Sequence, residues 1–197
     1  MTRVYLVRHG THDLVNKALA GRMPGVHLGP TGRDEAVRLA KVFAYRDVTT
    51  IVTSPLERCR ETAAPIAERL ALDPVVDDRL IEIDCGTWTG VSFDQLAQDP
   101  EWGRWNSERQ DAGMPGGETM VAVQRRVMGL VESLASEDRE PAILVSHADV
   151  LKAAVMALIG MPLRWHDRIV IDPASVTTVD LWPGGGKVVR LNEGLPA

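Results

Sequence analysis

The sequence of 197 residues predicts an α/β fold, a three-layer αβα sandwich around a mostly parallel central sheet, and three observations carry that expectation. Short apolar runs rich in β-branched residues recur at VYLV (4–7), TIVT (50–53) and AILVS (142–146). Each is followed, at once or after a loop, by apolar residues at helical spacing. The runs are continuous rather than alternating, as expected of strands covered on both faces. No repeat, low-complexity tract or long linker interrupts the pattern, so residues 1–197 read as a single domain.

Taken in chain order, the first run ends in Arg8, His9 and Gly10 and is followed by a glycine-rich loop. Thr31 is expected to cap a helix carrying Ala36, Leu39, Ala40 and Phe43. After TIVT, Ser54-Pro55-Leu56-Glu57 offers a serine N-cap, a proline at the first helical position and a glutamate closing a capping box. Leu56, Ala63, Ile66, Ala67 and Leu70 would give that helix its apolar face. The stretch from Arg79, read as extended through Ile83, puts Leu80 and Glu82 on one face and Ile81 and Ile83 on the other. A longer helix should begin near Glu118 and Thr119 and carry Val123, Val127, Leu130 and Leu134. After AILVS, Asp149 reads as an N-cap for a helix with Val150, Leu151, Ala154, Val155 and Leu158, stopped by Gly160 and Pro162. The last two strands, around 176–182 and 187–191, are separated by Pro183-Gly184-Gly185-Gly186 and read as a hairpin at the sheet edge.

Composition narrows the function classes. With 22 Lys and Arg against 27 Asp and Glu, the formal charge of -5 gives no general attraction to nucleic acid or to an anionic membrane. Any basic site must be local and assembled by folding. Cys59 and Cys85 stand in neither a metal-type nor a Cys-x-x-Cys spacing, which fits a reducing cytosol. The N-terminal apolar run is too short for a signal peptide, and no segment approaches the roughly 18 apolar residues of a membrane span. The expectation is a cytoplasmic protein with no membrane or nucleic-acid partner.

Ligands of parallel α/β sheets bind beyond the carboxyl ends of the strands. Arg8 and His9, Ser54 with Arg58 one helical turn on, and Ser146 with His147 all fall there. Two guanidiniums can each grip phosphate oxygens bidentately, so a phosphoryl group is the inferred ligand. A histidine among them serves either as one more donor or, neutral, as a nucleophile toward phosphorus. The nucleophilic use needs an acid for the leaving oxygen. Glu82, in an apolar setting that raises a carboxyl pKa, and Asp84 are the two candidates. No carboxylate or cysteine cluster completes a metal set around His9 and His12. His12, His27 and His166 read as ordinary surface or loop residues, and Cys59 as core.

VRHG at the N-terminus, SPLERCRETA at 54–63, LIEIDCGTW at 80–88 and VSHADVLKA at 145–153 resemble, in order, the motifs of the histidine phosphatase superfamily, which includes phosphoglycerate mutases. The resemblance implies a phosphoglycerate mutase-like fold and a phosphohistidine mechanism that needs no metal and no cofactor. By motif, it makes His9 the nucleophile, Arg8 and Arg58 the phosphoryl clamp, His147 a donor to the phosphoryl group and Glu82 the proton donor. Asn16 matches an asparagine that many members carry, displaced here by one residue, and His12 stands near their usual Ser or Thr. Ala148 and Asp149 replace the two glycines of the common SHGG, and Thr89 replaces the acid of GxWEG. Asn16, Arg22 and Ala148 are the expected substrate-binding residues, with Trp102, Arg104 and Trp105 as a candidate lid.

The expected activity is therefore metal-independent hydrolysis of a small phosphorylated metabolite. A phosphoglycerate-type mutase and a catalytically weak phosphate-sensing or scaffolding module are the alternatives. The short connection between Glu82 and His147 favours the phosphatase over a mutase that must enclose its intermediate. The sequence leaves the substrate unnamed and a homodimer open.

Overall fold

The computed structural model describes residues 1–136 and 140–195. Six strands form one sheet: β1 (Thr2–Arg8), β2 (Thr50–Thr53), β3 (Val75–Val76), β4 (Ala142–Ser146), β5 (Val176–Trp182) and β6 (Gly185–Glu193), in the order β3-β2-β4-β1-β5-β6. The first four in that order run parallel, while β5 is antiparallel to β1 and β6 to β5. The C-terminal hairpin is at the edge, as the glycine-rich turn predicts, with Trp182 opposite Gly185.

Alternation along the strands fills two cores. Val4 and Leu6 of β1, with Val52 and Leu144, pack with Val123, Val127, Leu151 and Val155 of the helices α5 (Met120–Ser136) and α6 (Ala148–Leu158). Tyr5, Val7, Ile51, Ile143 and Val145 face the opposite way, onto Leu39 and Phe43 of α1 (Pro30–Phe43) and Ala63 and Ile66 of α2 (Glu57–Leu70). The sheet is thus covered on both faces, which is why its strands read as continuous apolar runs. Two short helices, α3 (Phe93–Leu96) and α4 (Pro100–Ser107), lie in the connection that leads to α5.

Helix starts depart from the expected caps. Both α1 and α2 begin without a side-chain cap, after Gly29 and Leu56 in extended conformation, so Thr31 lies inside its helix and Ser54 precedes its helix by more than a cap position. Ser54 is engaged instead with a histidine of another strand end. His147, not Asp149, is the residue before α6, and Asp149 sits in its first turn. The stretch after Arg79 is not extended: Asp78–Leu80 forms a 3₁₀ turn capped by Asp77, and the chain runs on irregularly to a second turn at Gly86–Trp88. Leu80 and Ile83 are both buried in the same core, whereas an extended strand would turn them to opposite faces.

The first connection is packed backbone to backbone. A Cβ on Gly32, in the first turn of α1, would lie 2.1 Å from the Thr11 carbonyl oxygen, whereas one on Gly129 of α5 would meet nothing within 4 Å. Alanine in a helix interior normally gains roughly 0.5–1 kcal/mol over glycine. Gly129→Ala should therefore stabilise the fold by about that much, while Gly32→Ala should destabilise it by roughly 1–3 kcal/mol through overpacking. Urea unfolding of the two variants checks the opposite signs.

Candidate active site

Strand register brings the cationic and imidazole side chains together. Arg8 pairs with Ser146, the His9 amide donates to the Ser146 carbonyl (3.0 Å), and the Ser54 amide donates to the Val145 carbonyl (3.0 Å). The ends of β1, β2 and β4 therefore lie side by side, and the first turn of α2 delivers Arg58 to the same place. The His9 and His147 ring centroids are 5.2 Å apart. Arg8, His9, Arg58, Glu82, Asn16 and Ala148 all line one cleft of about 160 Å³.

The hydrogen bonds of the two guanidiniums are incomplete. Arg58 is buried, 1 % exposed; its Nη2 donates to the Gly21 carbonyl (2.7 Å), while Nε and Nη1 have no partner among the described residues. Arg8 donates from Nη1 to the Ile171 carbonyl (2.7 Å), and its Nε is likewise unpartnered. Burying donors without acceptors is costly, so the arrangement calls for an anion in the cleft.

The hydrogen bonds of His9 define its tautomer, and His147 is held by a hydroxyl. His9 Nδ1 lies 2.8 Å from the Gly10 carbonyl, which can only accept, so the proton sits on Nδ1 and Nε2 keeps its lone pair. Burial, with Arg58 and Arg8 adding their charge, lowers its pKa well below the usual imidazole value and keeps the ring neutral. His147 Nε2 lies 2.8 Å from Ser54 Oγ, which also accepts from the Leu56 amide. Its Nδ1 lies 3.8 Å from Glu82 Oε2. Burial, Arg58 and His9 hold this ring neutral as well.

Glu82 accepts at Oε1 from the Ile83 amide (2.9 Å). Burial pushes its carboxyl up to about 7, Asp149 adds to the rise, and Arg58 and Arg8 oppose it. Asp84 is directed elsewhere: it accepts from the Gly86 amide and stands 3.7 Å from Arg22. Of the two acids named from sequence, Glu82 is the one at the cleft.

Other expected residues are placed differently. Arg22 does not line the cleft; its Nε donates to the Glu82 carbonyl (2.8 Å) and its Nη2 to Glu118 Oε2 (2.7 Å). Gly10 owes its identity to packing rather than ligand approach, since a Cβ there would lie 2.7 Å from the Gly32 carbonyl oxygen. His12 and His166 are buried rather than surface residues: His12 stacks near His9 at 5.1 Å, and His166 Nε2 stands 2.9 Å from Asp149. Only His27 is exposed, beside Glu61. Trp105 is buried in the larger core and Trp102 packs edge-on to Trp88, while the exposed Arg104 pairs with Glu108. The α4 segment is thus a surface helix anchored to the core by Trp105 and the half-buried Trp102. Cys59 is core as expected, its Sγ 3.3 Å from His147 Nε2. Pattern reading missed Ser54 as a partner of His147, as well as Thr62, whose hydroxyl accepts from the Gly10 amide (3.0 Å), and Glu35, which accepts from the Thr11 amide (2.7 Å). Side chains that act on distant backbone leave no periodic signal.

These shifts fix how stability depends on pH. His9, His12, His147 and His166 are all lowered in the fold, so below about pH 6.5 the unfolded chain takes up protons that the folded chain refuses, and acid destabilises. Glu82 opposes this, since its raised carboxyl holds a proton that the unfolded chain loses between its ordinary value and about 7. Exposed His27, raised by Glu61, opposes it too. Four imidazoles outweigh these two groups. Stability should fall as pH drops from 6.5 to 5, by about 1.4 kcal/mol per pH unit for each net proton taken up. Urea midpoints at pH 7 and pH 5 measure it, and a midpoint that stayed constant or rose on acidification would contradict the assignment.

Comparison with known proteins shows the family and the fold. The chain is 30 % identical to phosphoserine phosphatase 1 of Hydrogenobacter thermophilus, over 98 % of this chain and 92 % of that one. It is 33 % identical to a protein of Mycobacterium tuberculosis named only as bifunctional, covering 96 % of this chain but 53 % of that longer one. The mycobacterial glucosyl-3-phosphoglycerate phosphatase, solved with VO3, superposes with a TM-score of 0.88 at 30 % identity, covering 98 % of this chain and 99 % of that one. A sequence profile matches residues 4–194, nearly the whole span that carries the sheet and the cleft, and the chain accordingly belongs to the histidine phosphatase superfamily (branch 1).

Proposed function

We propose that this chain is a metal-independent phosphomonoesterase that hydrolyses a small phosphorylated metabolite through a phosphohistidine on His9. One observation carries the reading: a neutral imidazole with its Nε2 lone pair free stands beside a buried and a half-buried guanidinium, both with buried N–H groups that lack partners among the described residues. The relatives named as phosphatases support it, and the substrates in their names, phosphoserine and glucosyl-3-phosphoglycerate, make a phosphorylated hydroxy acid the first class to try. The two free, buried thiols suit the cytoplasm.

The steps follow from the site. Arg8 and Arg58 hold the non-bridging phosphoryl oxygens, a ring N–H of His147 donates to one of them, and His9 Nε2 attacks phosphorus in line as the ester P–O bond breaks. Glu82 gives its proton to the departing oxygen; Asn16 and Ala148 border the leaving group. Glu82, now ionised, takes a proton from a water that attacks the phosphoryl group. The P–N bond breaks, inorganic phosphate leaves, and both His9 and Glu82 return to their starting states.

Incubation with a ³²P-labelled phosphomonoester and an alkaline quench should leave acid-labile label on His9, and His9→Ala should lower phosphate release by at least about 10³-fold. Label elsewhere would overturn the mechanism. Stoichiometric release of phosphate distinguishes a phosphatase from a mutase, which would move the group between positions of a phosphoglycerate. Tight phosphate binding with no release from any ester would indicate a sensing module.

Glu82→Gln should slow alkyl phosphates by roughly 10²–10⁴ and activated aryl phosphates far less, because a phenolate of low pKa departs unaided. With an alkyl substrate, wild-type activity should fall on the alkaline side of Glu82's value of about 7, displaced upward by the bound phosphate dianion. That limb should weaken with 4-nitrophenyl phosphate.

A further inference from the structure

Glu82 has little to hold its side chain in place. Its carboxylate accepts from the adjacent Ile83 amide and approaches His147 no closer than 3.8 Å, so its aim depends on the backbone that carries it. That backbone, 79–84, lies in no strand and no α-helix beyond the 3₁₀ turn at Asp78–Leu80. It is fastened from one side by a single carboxylate.

Glu118 Oε2 accepts from the Asp84 amide (3.1 Å), from Arg22 Nη2 (2.7 Å) and from Arg126 Nη2 (3.2 Å), and Oε1 accepts from Arg126 Nε (3.1 Å). Each arginine then reaches on to the same loop: Arg22 Nε to the Glu82 carbonyl (2.8 Å) and Arg126 Nη1 to the Arg79 carbonyl (2.8 Å). The loop is thereby gripped at Arg79, Glu82 and Asp84. Glycines let the turn that bears Glu118 press directly on it. A Cβ on Gly117 would lie 2.2 Å from the Asp84 carbonyl oxygen, and one on Gly86 2.0 Å from that of Pro115. The Glu118 amide donates to the Asp84 carbonyl (2.9 Å), closing the contact. Glu118 itself does not line the cleft.

We propose that Glu118 is a positioning residue for the proton donor, its carboxylate aligning Arg22 and Arg126 so that they fix the backbone on which Glu82 is carried. The proposal rests on Glu82 being the acid. Charge matters here as well as shape: a glutamine at 118 keeps one acceptor oxygen but turns an NH₂ toward an arginine donor and removes the negative charge that both arginines share, so the clamp loses a contact and its ion pairs. Displacement of a reacting group by about 1 Å costs on the order of 10²-fold. The loss should fall on the step that needs the acid and spare the phosphate grip of Arg8 and Arg58.

The test uses the full chain with an alkyl ester, glycerol 3-phosphate or phosphoserine, and with 4-nitrophenyl phosphate. Glu118→Gln should lower kcat for the alkyl ester by roughly 10–100-fold and for the nitrophenyl ester by less than about 3-fold. The inhibition constant of inorganic phosphate should stay within about 2-fold. In a Glu82→Gln background, Glu118→Gln should add nothing to the alkyl loss. Glu82→Gln run alone separates the failures. If it slows both esters equally, the acid reading falls and the positioning role falls with it. If Glu82→Gln is selective while Glu118→Gln slows both esters equally, slows neither, or adds to the double variant, the positioning role alone is overturned. Thermal unfolding identifies a variant that fails to fold; Arg22→Gln, which cuts the direct link to the Glu82 carbonyl, then decides by the same alkyl-to-aryl ratio.

Discussion

The site is organised around positive charge that the fold buries without neutralising. Arg58 lies fully inside, with two of its nitrogens unpartnered, and Arg8 beside it has one more. Leaving a buried charge unpaired costs on the order of 3–5 kcal/mol. The chain bears that cost where β1, β2 and β4 end together, and a bound anion recovers it. Affinity for a phosphoryl group is thus stored in the folded state, since its donors are fixed by carbonyls of Gly21 and Ile171 before any ligand arrives.

The same charges and the same burial sort the neighbouring acids and bases. Desolvation disfavours every ionised form, and for an imidazole the guanidiniums push in the same direction, so His9 and His147 stay neutral. For a carboxyl the two influences oppose. In Glu82 burial, with Asp149 adding to it, outweighs the pull of the arginines. In Asp149 burial is outweighed by His166, Arg109 and Lys152, which hold it well below the usual carboxylate range. Two carboxyls bordering one cleft therefore adopt different protonation states, which is the condition for one of them to work as an acid near neutral pH.

Most of the surrounding frame consists of backbone meeting backbone. Gly10 against Gly32 locks the loop after β1 onto α1, and Gly86 against Gly117 locks the Glu82 loop onto the turn before α5. Glu35 and Glu118 close these two contacts by accepting amide protons from Thr11 and Asp84. The loops of the site are short of regular structure, yet their polar groups are accounted for by side chains arriving from other elements. This is how irregular segments can hold side chains in fixed positions.

The sequence by itself determined the layers, the strand runs and the placing of two arginines and two histidines at the strand ends. Those features are local: a β-branched run such as AILVS and the residues following it in the chain are read from neighbours, and Arg8, His9, Arg58 and His147 announce themselves by type and by their place after strands. The caps of α1, α2 and α6 were misread because Thr31, Ser54 and Asp149 have side chains that suit a cap, while in the fold Ser54 and Asp149 are drawn to His147 and His166 instead. Only tertiary structure decided the pairing of His147 with Ser54, the presence of Glu82 rather than Asp84 at the cleft, and the turning of Arg22 away from it to Glu82's carbonyl and Glu118. Each depends on a distant carbonyl, hydroxyl or carboxylate, and sequence spacing carries no information about which backbone group a side chain will meet after folding.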